Sequence, residues 1–381
     1  MALIPKETED ADKIPKPASA EFENPQLNLF QQFLCNTEEE RRQLSNAIDL
    51  WDNIPRYSVS RQAMAENRIN DRFLEQHEAE FRYKDRTYVR ILKPARVEDI
   101  DGETREYFAS ANEELVEDAL RKIATEQQSG YFDKPNFRSG VVFTLHALRE
   151  ELRLRGHTRS YQEIVLALNI LAGSNIEIQV RDDEGKLKAI NKSNYLPHLT
   201  AVSRGRLKED PNAKWVVQFH PFVTGAIDQV TYRQFNYHLM MSHRTQLARW
   251  LHKQLVLKYT FASLADPFEM RYSTIKRDSG LLENYSRSRM AIDKIEEAFD
   301  ELKKANVISH FERKNVSGAR RKLLDAIFTL LPSMDFIRDT KASSKRLSLA
   351  PLNGNVGPSV GIGGESAKNL APNQAIRRPW T

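Results

Sequence analysis

Ser286-Arg287-Ser288-Arg289 opens a stretch in which Ile292, Ile295, Phe299 and Leu302 recur at the spacing of one helical face. Arginines on the first turn of such a helix have a definite chemistry. Their planar fork bridges the O6 and N7 acceptors of guanine in a major groove, so Arg287 and Arg289, with Ser286 at the helix start, are candidate base readers. Lys276 and Arg277 lie just upstream, Lys294 further along the same helix, and Arg320, Arg321 and Lys322 in a basic turn downstream. These are candidate phosphate anchors, because a cation that meets a phosphate releases condensed counterions whatever the base. Singly, each could equally be a solvated cation on an amphipathic helix; together they form a candidate polyanion-binding surface.

A second set lies upstream. SYQEIVLALNIL, residues 160–171, carries Tyr161 and Gln162 but little positive charge, and Arg149, Arg153 and Arg159 surround it as candidate backbone contacts. Arg149 and Arg153 share a face at a spacing of four; the alternative is that this unit mainly supports dimerisation. Near the N-terminus, Gln26-Leu27-Asn28-Leu29-Phe30 places apolar residues in polar surroundings. Leu27, Leu29 and Phe30 could enter a partner's pocket while Gln26 supplies a directional amide hydrogen bond, or the string could begin a helix on the protein's own core.

Catalytic and cofactor chemistry finds no support in the residues. GIGGESAK, residues 361–368, lacks the Lys-Ser/Thr pair of a phosphate-binding loop, and the histidines show no tight metal-ligand spacing. His-x-His, which a nicking enzyme would need near a nucleophilic tyrosine, does not occur, so no enzyme, metal or cofactor is expected. No apolar run approaches a bilayer span, the N-terminus lacks the order of a secretory signal, and Cys35 is the lone cysteine. A cytoplasmic setting with no membrane partner is therefore expected. Residues 1–120 carry 16 Lys/Arg against 26 Asp/Glu, whereas residues 232–346 carry 22 against 13, which makes the second half the polyanion-binding candidate.

The elements that must position these residues recur in order. The first unit, residues 80–205, reads as a strand over Arg86–Lys93, a helix over 113–128 and a short strand at Val141–Phe143. Helices over 144–155 and 160–171 follow, capped by Thr144 and by Ser160 with Glu163, and then a hairpin from NIEIQV and KLKAINKSNYL. The second unit, residues 214–340, follows a polar linker over 204–213. It reads as a strand at Trp215–Phe219, a long helix Ser242–Tyr259 capped by Ser242, and a short strand at Phe268–Met270. A short helix Tyr272–Asp278, the helix Ser286–Ala305 and a hairpin over 307–331 complete it. Helix, turn, helix, hairpin is the order of a winged helix, so the expected class is α+β with two winged helices in tandem. Residues 1–50 read as a flexible leader holding the apolar peptide, and 342–381, rich in Gly and Pro, as a disordered tail beyond a fold that ends near Arg338.

So arranged, residues 80–340 resemble the plasmid replication initiator (Rep) proteins with tandem winged helices, in particular the TrfA-like branch. SHRTQLARWLHKQLVLKY is similar to the long helix opening their second winged helix, and SRSRMAIDKIEEAFDELKKANVI with its basic hairpin to their recognition helix and wing. QLNLF resembles their sliding-clamp-binding pentapeptide. The resemblance implies monomers bound to directly repeated origin sites (iterons), opening of adjacent AT-rich duplex with contact to single-stranded DNA, and recruitment of the host helicase, initiator and sliding clamp. It also implies a homodimer in equilibrium with the monomer as the stored or self-repressing form, and so copy control. The tail and the weakly basic helix of the first unit depart from the family pattern. A winged-helix transcriptional repressor is the competing expectation, and a scaffold that binds only protein the third.

Overall fold

The first unit is assembled around a leading segment, β1 (Leu44–Ile48), α1 (Asp49–Asn53) and α2 (Arg61–Glu66), in the computed structural model. Described are residues 44–84, 86–126, 131–133, 138–182, 184–203, 210–228, 232–318 and 323–349. The peptide 26–30, the turn residues 320–322 and the tail from 350 onward lie outside them. Within the stretch read as leader, β1 pairs with the strand Tyr232–Asn236, and just beyond it Trp51 of α1 is fully buried.

The first unit continues through β2 (His77–Tyr83), β3 (Arg86–Lys93), β4 (Ala95–Glu98), β5 (Thr104–Tyr107) and α3 (Ala111–Glu126). Next come β6 (Tyr131–Asp133), β7 (Arg138–Thr144), α4 (Leu145–Leu154), α5 (Tyr161–Gly173), β8 (Asn175–Arg181), β9 (Leu187–Asn194), β10 (His198–Val202) and β11 (Lys214–Gln218). The caps read from sequence are formed: Thr144 accepts from the Ala147 N–H, and Ser160 and Glu163 close a reciprocal capping box. The wing hairpin β8–β9 extends a four-stranded antiparallel sheet in the order β2-β3-β8-β9. β11 corrects the sequence assignment. It pairs with β7, Trp215 opposite Phe143, so it completes the sheet β10-β11-β7-β6 of the first unit rather than opening the second. Trp215 and Val217 alternate inward against that core, which is why the strand sits there.

The second unit comprises α6 (Pro221–Asp228), β12 (Tyr232–Asn236), α7 (Tyr237–Met241), α8 (Gln246–Lys258), β13 (Phe268–Arg271), α9 (Tyr272–Ser279), α10 (Ser288–Lys304), β14 (Ile308–Ser317), β15 (Leu323–Pro332) and α11 (Met334–Leu349). Its sheet order, β13-β15-β14, is that of a winged helix, so the protein is α+β with two winged-helix units. The helix expected from Ser242 starts four residues later, at Gln246. Ser242 ends α7, its N–H and hydroxyl both donating to the Leu239 carbonyl, and Thr245 caps α8 by accepting from the Ala248 N–H. α11 runs past Arg338, the expected end of the fold, and buries Thr340 and Ser343.

The two units meet along a charged seam. On α3 the apolar face is joined by buried Glu114, Glu117, Asp118, Arg121 and Lys122, and on α8 by buried Arg249, His252, Lys253 and Gln254. Lys253 bridges Asp118 at 2.7 Å and Glu114 at 3.2 Å, while Arg121 grips Asp52 at 2.8 and 2.9 Å. Arg56 reaches Asp52 at 3.1 Å and Glu117 at 3.2 Å, and Trp51 Nε1 donates to Glu117 at 2.5 Å. Burial alone would raise the Asp52 carboxyl, but Arg121 and Arg56 hold it well below the usual carboxylate range. Asp118 goes the other way: burial raises it despite Lys253. Removing one partner of such a set leaves a buried charge uncompensated, which typically costs about 3–5 kcal/mol.

Candidate nucleic-acid interface

α9 and α10 hold the candidate residues, and the wing fixes both. The α9 N-cap, Arg271, makes no side-chain cap; Asp325 of β15 supplies it instead, accepting from the Ser273 N–H at 3.0 Å and hydroxyl at 2.6 Å. Gly280 ends α9 in the left-handed region at φ 63°, and a Cβ there would stand 2.7 Å from that of Ser58. α10 is pinned by its apolar stripe. Phe299 packs on Phe311 of β14 and Phe328 of β15 at centroid distances of 5.3 and 5.2 Å, and Arg313 of β14 pairs with Glu296 at 3.0 Å.

The N-terminal end of α10 is left open. Ser286, Arg287, Ser288, Arg289 and Met290 are five consecutive exposed residues. The N-cap Arg287 makes no side-chain hydrogen bond to the helix, and the first turn holds no acidic residue, so the positive end of the peptide dipoles faces outward. Further along, Asp293, Glu296, Glu297, Asp300 and Glu301 make the middle of the helix acidic, so its first turn suits a polyanion better than the turns that follow it, until Lys303 and Lys304 at the far end. Lys294 is exposed but neutralised by Glu297 at 2.6 Å.

Lys276 is half-buried on α9, whereas Arg277 is occupied. Its guanidinium grips buried Asp278 at 2.7 and 3.0 Å, and Asp278 also accepts from the Arg82 N–H of β2, tying α9 to the first unit. The first unit's cations are engaged too. Arg149 donates to the Arg159 carbonyl at 3.0 Å and lies 4.9 Å over the Tyr161 ring, and Arg153 pairs with Glu150 at 2.8 Å. Arg159 donates to Asn112 at 2.5 Å and to the Thr158 carbonyl at 2.8 Å. Along α5 only Gln162 and Gly173 are exposed, because β4 packs against it and the Ala95 Cβ would stand 2.9 Å from a Cβ on Gly173. Sequence reasoning passed over Ser288, Met290 and the cap Asp325. The two α10 residues were legible in SRSRM, but Asp325 acts on a residue 52 positions away and leaves no local signal.

Among the described residues no group of three His, Cys, Asp or Glu side chains could hold a metal ion, and no helix is long and apolar enough to cross a membrane. No protein-family model matches the chain. No curated protein sequence matches it either. Among solved structures, a selenomethionine crystal structure of domains 2 and 3 of RctB matches at a TM-score of 0.43 and 11% identity, covering 68% of this chain and 91% of that one. A second structure of RctB domains 2–3 matches at 0.42 and 9%, covering 71% and 94%. The Pi initiator protein in complex with iteron DNA matches at 0.38 and 13%, covering 64% and 98%. The winged-helix assignment itself rests on the element order and strand pairing described above.

Proposed function

We propose that this chain is a sequence-specific binder of double-stranded DNA that initiates replication of a plasmid from directly repeated origin sites. The observation that carries DNA binding is the uncapped start of α10, exposed from Ser286 to Met290, with Arg287 and Arg289 on it and a two-stranded wing beside it. On this proposal Arg287 and Arg289, flanked by Ser286, read base edges, and Lys276 with the turn residues Arg320, Arg321 and Lys322 anchor phosphates. Arg277 positions α9 through Asp278, Lys294 contributes little net charge, and Arg149, Arg153 and Arg159 brace the first unit. The role in replication rests on the resemblance of residues 80–340 to plasmid initiators and on Gln26, Leu27, Leu29 and Phe30 as the string that would engage a host sliding clamp. No catalytic step is assigned to the chain.

Selection of bound fragments from the parent replicon at physiological salt, followed by footprinting, tests the proposal. Protection of tandem direct repeats beside an AT-rich stretch is expected. A single palindrome over a promoter would make the protein a repressor, and the absence of any specific site would overturn DNA recognition altogether. Binding of a peptide covering residues 22–34 to a sliding clamp, lost when Leu29 and Phe30 become alanine, tests the replication arm separately.

A further inference from the structure

Met290 is the large apolar residue that the open end of α10 leaves in water, 51% exposed among serines and arginines. Its neighbours Ala291 and Ile292 turn into the core, whereas Met290 lies on the face of Asp293, Lys294 and Glu297, none of them buried. Nothing in the packing of the unit requires a methionine there. Exposing it has a cost, since an apolar side chain of this size gains by leaving water, and a lysine or glutamine would serve a merely solvated position.

We propose that Met290 is a specificity-determining residue that reads the 5-methyl group of a thymine next to the guanine bridged by Arg287. This rests on the DNA-binding function proposed above. Thymine alone among the four bases offers a methyl group in the major groove, and apolar side chains are its natural partners. The helix geometry supplies the adjacency. The Met290 N–H donates to the Arg287 carbonyl at 3.0 Å, which ties Met290 to the cap residue across the opening turn of the helix. Three residues advance about 4.5 Å along a helix axis, close to the roughly 3.4 Å separating successive bases of a strand. A guanine bridged by Arg287 therefore brings the neighbouring base pair beneath Met290. The polarisable, unbranched thioether can follow a methyl group whose position shifts with local groove geometry.

The test uses the full chain and its selected site, with each thymine replaced in turn by deoxyuridine, which removes the methyl group and leaves pairing intact. Wild type, Met290→Ala and Met290→Leu are compared, the exposure of Met290 making both variants compatible with the fold. One position should weaken wild-type binding by about fourfold, the effect of one buried methyl group. At that position Met290→Ala should be indifferent to the replacement and Met290→Leu should retain part of the sensitivity. A site bound specifically, yet with no thymine whose replacement distinguishes wild type from Met290→Ala, overturns the assignment while leaving DNA recognition intact. Failure to select any specific site overturns both.

Discussion

α5 and α10 hold the same place in their two units, as the second helix of a helix-turn-helix ahead of a wing, but their surroundings differ at both ends. α5 begins with a closed capping box, in which Ser160 and Glu163 satisfy each other's backbone and put a carboxylate on the first turn. α10 begins on Arg287 with no side-chain cap and no acid. Along its length α5 is covered by β4 and keeps little exposed surface, whereas α10 buries one stripe and leaves the opposite face free. The cations around α5 are spent within the unit; those at the start of α10 make no such ties among the described residues. Two helices with the same topological role can thus be a brace and an open edge, and the cap residue separates them as sharply as the net charge does.

The strongest test of this contrast is binding to the selected site. An Arg287→Ala/Arg289→Ala double variant should lose about 2–6 kcal/mol of specific binding, the sum of two bidentate base contacts, with little change on unrelated DNA. A Tyr161→Ala/Gln162→Ala variant in α5, assayed alongside by titration, should stay within about threefold of wild type. Equal losses would erase the distinction between the two helices.

Acid should weaken the second unit through α8. His243 Nε2 lies 2.9 Å from His252 Nδ1, and both rings are buried. Burial pushes His243 down to about 4 and His252 well below its ordinary range. The unfolded chain binds protons on these rings near pH 6.5 and the folded one does not, so stability is fully present above that pH and falls as pH drops from about 6.5 towards 4. For His243 alone the loss is on the order of 3 kcal/mol. Thermal midpoints measured from pH 7 to 4.5 should fall less steeply for His243→Gln.

Salt separates anchors from braces. Replacing Arg320, Arg321 and Lys322 together with alanine should flatten the dependence of log K on log salt by about one unit per anchor. The matching triple in the first unit, Arg149, Arg153 and Arg159 to alanine, should leave that slope unchanged and lower the melting temperature instead. A slope that moves with the first-unit triple would place α4 and α5 on the DNA.

The smallest expected effect is at the caps. Ser160→Ala should cost about 1 kcal/mol of stability by opening the capping box, while Ser286→Ala should cost almost none, since Ser286 caps nothing. Denaturant midpoints measure both.

Much of this arrangement is legible along the chain. The helices α3, α4, α5, α8 and α10, the caps Thr144 and Ser160, the apolar stripe of α10 and the SRSR start all follow from periods of 3.6 residues and from local capping, which act over four residues or fewer. The charge count was a poorer guide. Glu113, Glu114, Glu117 and Asp118, which weigh in the acidic sum of residues 1–120, are buried, and the latter three are paired in the seam against Arg56, Arg121 and Lys253 or bonded to its neighbours. A sum over sequence assigns them to a surface field they do not create. Likewise Arg149, Arg153 and Arg159 read as free cations only until the hydrogen bonds of the folded unit engage them.

By itself, then, the sequence determined the helices α3, α4, α5, α8 and α10, the two wing hairpins, and which helix starts with arginines, because those properties depend on residues within a turn of one another; α1, α2, α6, α7 and α11 carried no such signal. The tertiary structure alone decided that β11 completes the first unit, that β4 covers α5, that Asp325 caps α9 and that a charged seam joins α3 to α8. Each of these depends on residues tens to hundreds of positions apart whose pairing leaves no period or spacing in the chain, and is settled only when burial forces every polar group to find a partner.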